Sequence, residues 1–211
     1  MLTPQTQTVE ILSGRYDPVT DTGYMGFISA SDFITGSELI NLLNFHGGID
    51  QNSDAGWLKF YVGPNAVCNR TNHIKIIYIA KRSIKCDISW DNINQSDLVY
   101  GNRIIIVDGF MYRVRLLTGG QIKPGSGSEW NELIYRVHSE QPESKSNWET
   151  FDTLETNITD GAGQITWCQE TPSSSIARVY RGNYGLVYGF ISISSSSGMN
   201  YGWRPVLELV V

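Results

Sequence analysis

Residues 103–107 and 110–117 are two β-rich runs that meet at Asp108-Gly109. A two-residue hairpin turn needs positive φ at its central positions, which Asp and Gly tolerate. The flanking Ile, Val, Tyr and Phe residues favour extended backbone. A chain that doubles back here must build antiparallel sheet. The stretch 74–81 is strongly β-branched and predicts another strand, and 57–62 predicts a third. Short strands are expected near 164–169, 177–181, 186–193 and 203–210, with a further one at 8–12.

Helical signals are fewer. Leu39, Ile40, Leu42 and Leu43 share nearly one face of a helix over 37–45, capped by Thr35 or Ser37 and ended by His46-Gly47-Gly48. Trp130, Leu133, Ile134 and Val137 predict a second helix over 128–138 with Ser128 as N-cap. Residues 89–93 read as a helical turn. With 21 Gly, 11 Tyr and 6 Trp and only 18% charged residues, the 211-residue chain suits a β-rich domain with long turns. No repeat or linker divides it. The expectation is one α+β domain over 24–211 preceded by an extended, Thr-rich arm over 1–23.

The net charge of −5 and the lack of a basic run leave nucleic acid without an electrostatic footprint. No apolar run is long enough to predict membrane insertion, and the first residues carry no recognisable secretory signal. Cys68, Cys86 and Cys168 are odd in number and widely spaced, so neither a zinc knuckle nor a redox pair is predicted. Synthesis in a reducing cytoplasm is expected. The sequons at Asn69 and Asn157 are read as chance.

The last forty-odd residues carry the strongest contact signal. Apolar segments there bracket a stretch rich in Tyr, Ser, Gly and Asn. Tyr offers large contact area with few rotors to freeze, and Ser, Gly and Asn offer adaptable hydrogen bonding. Asn183, Tyr184, Tyr188, Asn200 and Tyr201 are the expected exposed contacts. Arg178 and Arg181 are candidates to grip acidic sugars or a partner carboxylate. The competing reading pairs Arg181 and Arg204 internally with Glu170 or Glu208, and is preferred for Arg204.

Three stretches carry a family likeness. They are 52–60 leading to 78–81 and 88–91; 112–119 followed by 127–135; and 167–171 with 179–182 and 202–208. In this order they resemble bacteriophage virion proteins that carry a C-type-lectin-like domain. The resemblance implies a lectin-like α+β fold: two helices around short antiparallel sheets, with long loops forming a binding face before the last strand. It also implies residence in the virion, as a tail fibre, baseplate appendage or capsid or neck decoration.

Catalysis and cofactors find little support. Trp130-Asn131-Glu132 and Gln141-Pro142-Glu143 occur in reversed order for a calcium-dependent sugar site, and helical ligands would not converge. No copper-binding cysteine motif is present. Glu129, Glu132, Glu140, Glu143, Glu149 and Asp152 crowd one region, where a solvated charge cluster is the simpler reading than a carboxylate pair for glycan hydrolysis. The expectation is therefore a non-enzymatic virion component without cofactor or metal. It docks on other virion proteins through its arm, and its loops either contact a host-surface glycan or protein or pack against a neighbouring copy or virion protein, as a homo-oligomer such as a trimer. The alternative is a purely structural cement protein.

Overall fold

The computed structural model describes residues 15–120, 127–138, 148–172 and 176–210. Along the chain run β1 (Tyr16–Asp17), β2 (Thr22–Ile28), α1 (Gly36–Leu43), β3 (Ile49–Asp50), β4 (Trp57–Val62), β5 (Lys75–Ala80) and β6 (Lys85–Cys86). Then follow α2 (Trp90–Gln95), β7 (Tyr100–Val107), β8 (Phe110–Arg115), α3 (Glu129–Glu132), α4 (Thr153–Thr156) and β9 (Ile165–Trp167). The last strands are β10 (Ala177–Gly182), β11 (Gly189–Ile193), β12 (Tyr201–Trp203) and β13 (Val206–Leu209).

One sheet has the order β1-β2-β4-β5-β13-β8-β7 and the other β11-β10-β9-β12-β6-β3. Two sheets of seven and six strands, with helices of at most eight residues among the described segments, correct the expected fold class. The chain is mostly β and is not a two-helix α+β lectin-like fold. The expected second helix shows why. Ser128 does cap it, accepting from Asn131 N, but the α-helix ends after four residues at Leu133 and continues as a 3-10 turn over Ile134–Val137. Glu129, Trp130, Asn131 and Glu132 are all buried, so tertiary partners rather than helical periodicity set this segment.

Alternation along the seven-stranded sheet divides the core. Trp57, Ile76, Tyr78, Tyr112, Val114 and Leu207 face the second sheet, where Trp167 and Trp203 meet them, with α1 and α2 closing the flank through Leu39, Leu43, Trp90 and Ile93. Leu58, Phe60, Ile77, Ile79 and Val206 face the opposite side, covered by Trp130, Leu133, Ile134, Val137, Trp148 and Leu186. This central sheet is therefore buried on both faces.

Residues 15–23, read as the end of an arm, form β1 and the turn into β2, held by Arg136 to Asp17 (2.6 Å). The rest of that arm and the expected strand at 8–12 lie outside the described residues. The expected strand over 203–210 is two. Arg204-Pro205 carries the chain from β12 in one sheet to β13 in the other.

Candidate functional site

Strand β10 pairs with β9 on one side and with β11 on the other, leaving β11 at the border of its sheet. The connection between β10 and β11 is fixed from below. Trp130 Nε1 donates to Leu186 O at 2.9 Å, and the Leu186 side chain is buried in the core. Asn183, at φ 84°, donates its N–H to Ile158 O at 3.0 Å, and its side-chain oxygen accepts from Gln164 Nε2 at 3.2 Å. Gly182, also at positive φ, lies so close to Gln164 O that a Cβ would sit 2.3 Å from it. A short, anchored loop thus holds up Tyr184 and Tyr188.

The aromatic rings form a chain from core to surface. Buried Trp167 stacks on Tyr201 (4.9 Å between centroids), and Tyr201 meets Tyr180 edge-on at 6.1 Å. Tyr180 contacts Phe190 at 6.0 Å, Phe190 lies nearly parallel to Tyr188 at 6.3 Å, and Tyr188 meets Tyr184 at 6.3 Å. Exposure rises to 42% for Phe190, 45% for Tyr188 and 75% for Tyr184. Partial burial beside Tyr201 and Tyr184 raises the Tyr180 pKa, so that ring stays a neutral phenol. The Tyr201 hydroxyl lies 3.0 Å from Ser192 Oγ, which donates to Ser196 Oγ at 2.9 Å. The face is an aromatic ribbon with a hydroxyl rim, and Arg178 lies opposite Ser192 beside it.

The expected contacts sort into three groups. Tyr184, Tyr188 and Asn200 are exposed, and Tyr201 and Arg178 are half-buried on the same side. Arg178 stacks over the Trp90 ring at 4.1 Å, and its Nη1 donates to Ala177 O at 2.8 Å. Asn183 is half-buried and serves the turn. Arg181 is fully buried under the hairpin, bonded through Nη2 to Asn131 Oδ1 at 2.8 Å, and lies 5.7 Å from the Trp130 ring. Burial pulls its pKa down.

The internal pairing considered for the arginines takes a different form. Glu208 binds Arg115 (2.8 Å) and Lys75 (3.6 Å), and Glu170 accepts from Gly119 N and Gly120 N. Arg204 is buried, but its donors serve the carbonyls of Ala80, Lys81 and Thr156 and the side chains of Thr166 and Asn157.

Phe190, Ile191 and Ile193 were legible only as part of a strand. Alternation assigns faces to a strand but not its place in the sheet, and border position is what exposes these three residues. Ile176, Val187 and Met199 add exposed apolar surface nearby.

Other chemistry-bearing residues are engaged elsewhere. Burial would push the Glu129 pKa up, but bidentate contact with Arg115 (2.6 and 2.7 Å) and the Thr118 N–H hold it below the ordinary carboxylate value. Glu132 is buried and accepts from Gly127 N, Glu149 pairs with Arg15, and Asp152 caps α4. Glu140, Gln141, Pro142 and Glu143 lie outside the described residues. Among the described residues no cluster of three His, Cys, Asp or Glu side chains could hold a metal ion. The three cysteines are buried free thiols whose pKa values burial raises. Asn69 and Asn157 are buried and hydrogen-bonded within the fold, so neither sequon offers its amide.

A cleft of about 530 Å³ lies past the end of α1, between Asn41, Asn44, His46 and the Lys85–Asp50 ion pair. Lys85 is nearly buried there, with its ammonium 5.4 Å from the Phe45 ring centroid. No helix among the described residues is long and apolar enough to cross a membrane.

No protein-family model, curated protein or solved structure matches this chain.

Proposed function

We propose that this chain is a non-enzymatic bacteriophage virion component, and that the ribbon formed by Tyr184, Tyr188, Phe190 and Tyr201 is the face with which it grips a host-surface glycan. The observation that carries the reading is the aromatic chain itself. Its inner rings are locked in the core, while its outer rings stand in solvent on a loop that Trp130 and Asn183 hold in place. Rings held in position before binding lose little freedom when a partner arrives. The flat faces of Tyr and Phe suit the apolar faces of sugar rings, and the hydroxyls of Ser192, Ser196 and Tyr201 and the amide of Asn200 are placed to exchange hydrogen bonds with sugar hydroxyls. The likeness of 52–60, 112–119 and 202–208 to phage virion proteins supports the location.

A second reading, a cement protein contacting its virion neighbours, is favoured by Ile191, Ile193, Ile176 and Met199, because sugars leave such aliphatic surface unsatisfied. The two readings separate in a binding assay against bacterial cells and a panel of their purified surface polysaccharides. The first expects retention that Tyr184→Ala or Tyr188→Ala reduces at least tenfold with the melting temperature unchanged. Binding to none of these surfaces at any salt concentration would overturn it in favour of the second.

A further inference from the structure

We propose that β11 is the pairing edge of a homodimer, in which two copies join their six-stranded sheets antiparallel about a two-fold axis through Ile191. The hydrogen-bond phase of the β10–β11 ladder is the starting point. Gly182 N donates to Tyr188 O and Ser194 N donates to Ile176 O, so the even-numbered residues of β11 form the bonded rungs with β10. Bonded and non-bonded positions alternate along an antiparallel pair. The amides of Gly189, Ile191 and Ile193 therefore point away from β10, toward the open border. Among the described residues, the one acceptor of these three already engaged is Ile193 O, which takes Ser196 N.

This border is self-complementary. With Ile191 placed opposite Ile191 of the second copy, Gly189 falls opposite Ile193 on both sides of the axis, and outward amides meet outward amides at all three positions. Such an arrangement, in which residue i meets j and j meets i, is what a two-fold interface requires. Charge does not oppose it: β11 reads Gly-Phe-Ile-Ser-Ile, with no charged residue and no proline. Ile191 and Ile193, on the face opposite Phe190, are 46% and 54% exposed, and theirs is the apolar area that a second copy covers, while Phe190 stays with the aromatic ribbon.

The other three border strands are blunted in the ways that natural sheets use to avoid such pairing. β1 and β3 are two residues long. β7 is interrupted by a register shift between Tyr100 and Arg103, and Arg103 Nη2 is tied to Leu43 O of α1 at 2.9 Å. Among the described border strands, β11 alone combines length, regular register and neutrality. The dimer does not depend on what Tyr184 and Tyr188 hold. It places the two aromatic ribbons side by side, so that one repetitive polymer could engage both.

The test is sedimentation equilibrium of the full chain between about 1 and about 100 µM. Twice the monomer mass is expected at the upper end. Ile191→Pro removes an outward N–H and sets a ring on the border without breaking a bond to β10, so a folded monomer is expected. Ile191→Lys and Ile191→Glu, each alone, place like charges opposite one another and should also be monomeric, whereas mixing the two restores a dimer. That rescue is specific to the axis and keeps the test decisive if the proline variant misfolds. A wild-type monomer throughout the range, a trimer, or a dimer unaffected by Ile191→Lys overturns the proposal. Glycan binding by a wild-type monomer would leave the proposed function standing while removing the dimer. A dimer that binds no glycan would do the reverse.

Discussion

Arg204 shows how far one side chain can determine this fold. It lies where β12 hands over to β13, and its guanidinium donates to backbone carbonyls of two separate segments, at Ala80-Lys81 and at Thr156. Among the described residues no carboxylate is bonded to it, and burial pulls its pKa down. Arg204→Ala should lower stability by about 3–5 kcal/mol, because it leaves buried carbonyls without donors. Arg204→Lys should recover little of that, since three donors from one nitrogen cannot replace a planar fork. Urea denaturation of the two variants checks both statements. The internal role of Arg204 was legible from its place between Trp203 and Pro205, but its partners were not: carbonyl acceptors leave no mark in a sequence, whereas Glu208 does and misleads.

Among elements, those specified by neighbouring residues were read most faithfully. The Asp108-Gly109 turn joins β7 and β8 with both residues at positive φ, 51° and 82°. α1 begins at Thr35, whose hydroxyl accepts from Glu38 N while Glu38 accepts from Thr35 N, and it ends at Asn44 in the left-handed region. This capping box satisfies two otherwise unpaired amides. Thr35→Ala should cost about 1 kcal/mol and Thr35→Ser almost nothing; the shift in urea midpoint at constant slope is the measurement. The segment after Ser128 was misread because its apolar spacing is helical, while its buried Glu129 is bound to Arg115, a partner fourteen residues away on β8. Local periodicity cannot register a tie of that kind.

At the scale of the whole molecule, pairing order was the hidden quantity, and with it both the fold class and the exposure of Phe190 and Ile191. Strands were visible one by one; the two-sheet arrangement depends on contacts between distant residues. One global property does follow from a single buried group. Burial, joined by the positive charge of Arg204, pulls the His138 pKa from 6.5 to about 4. The unfolded chain takes up that proton near pH 6.5 and the folded chain only near pH 4. The associated stability is complete above pH 6.5 and is lost as pH falls toward 4, by up to roughly 3 kcal/mol. Urea midpoints measured across that window should decline, and His138→Gln should flatten the decline. A last consequence comes from β12 and β13. β12 lies between β9 and β6, and β13 lies between β5 and β8, so the final described strands are interior planks of both sheets. While the ribosome still holds residues 201–209, each sheet is split down its middle. The emerging protein must wait, with its halves unzipped, until synthesis has passed Leu209.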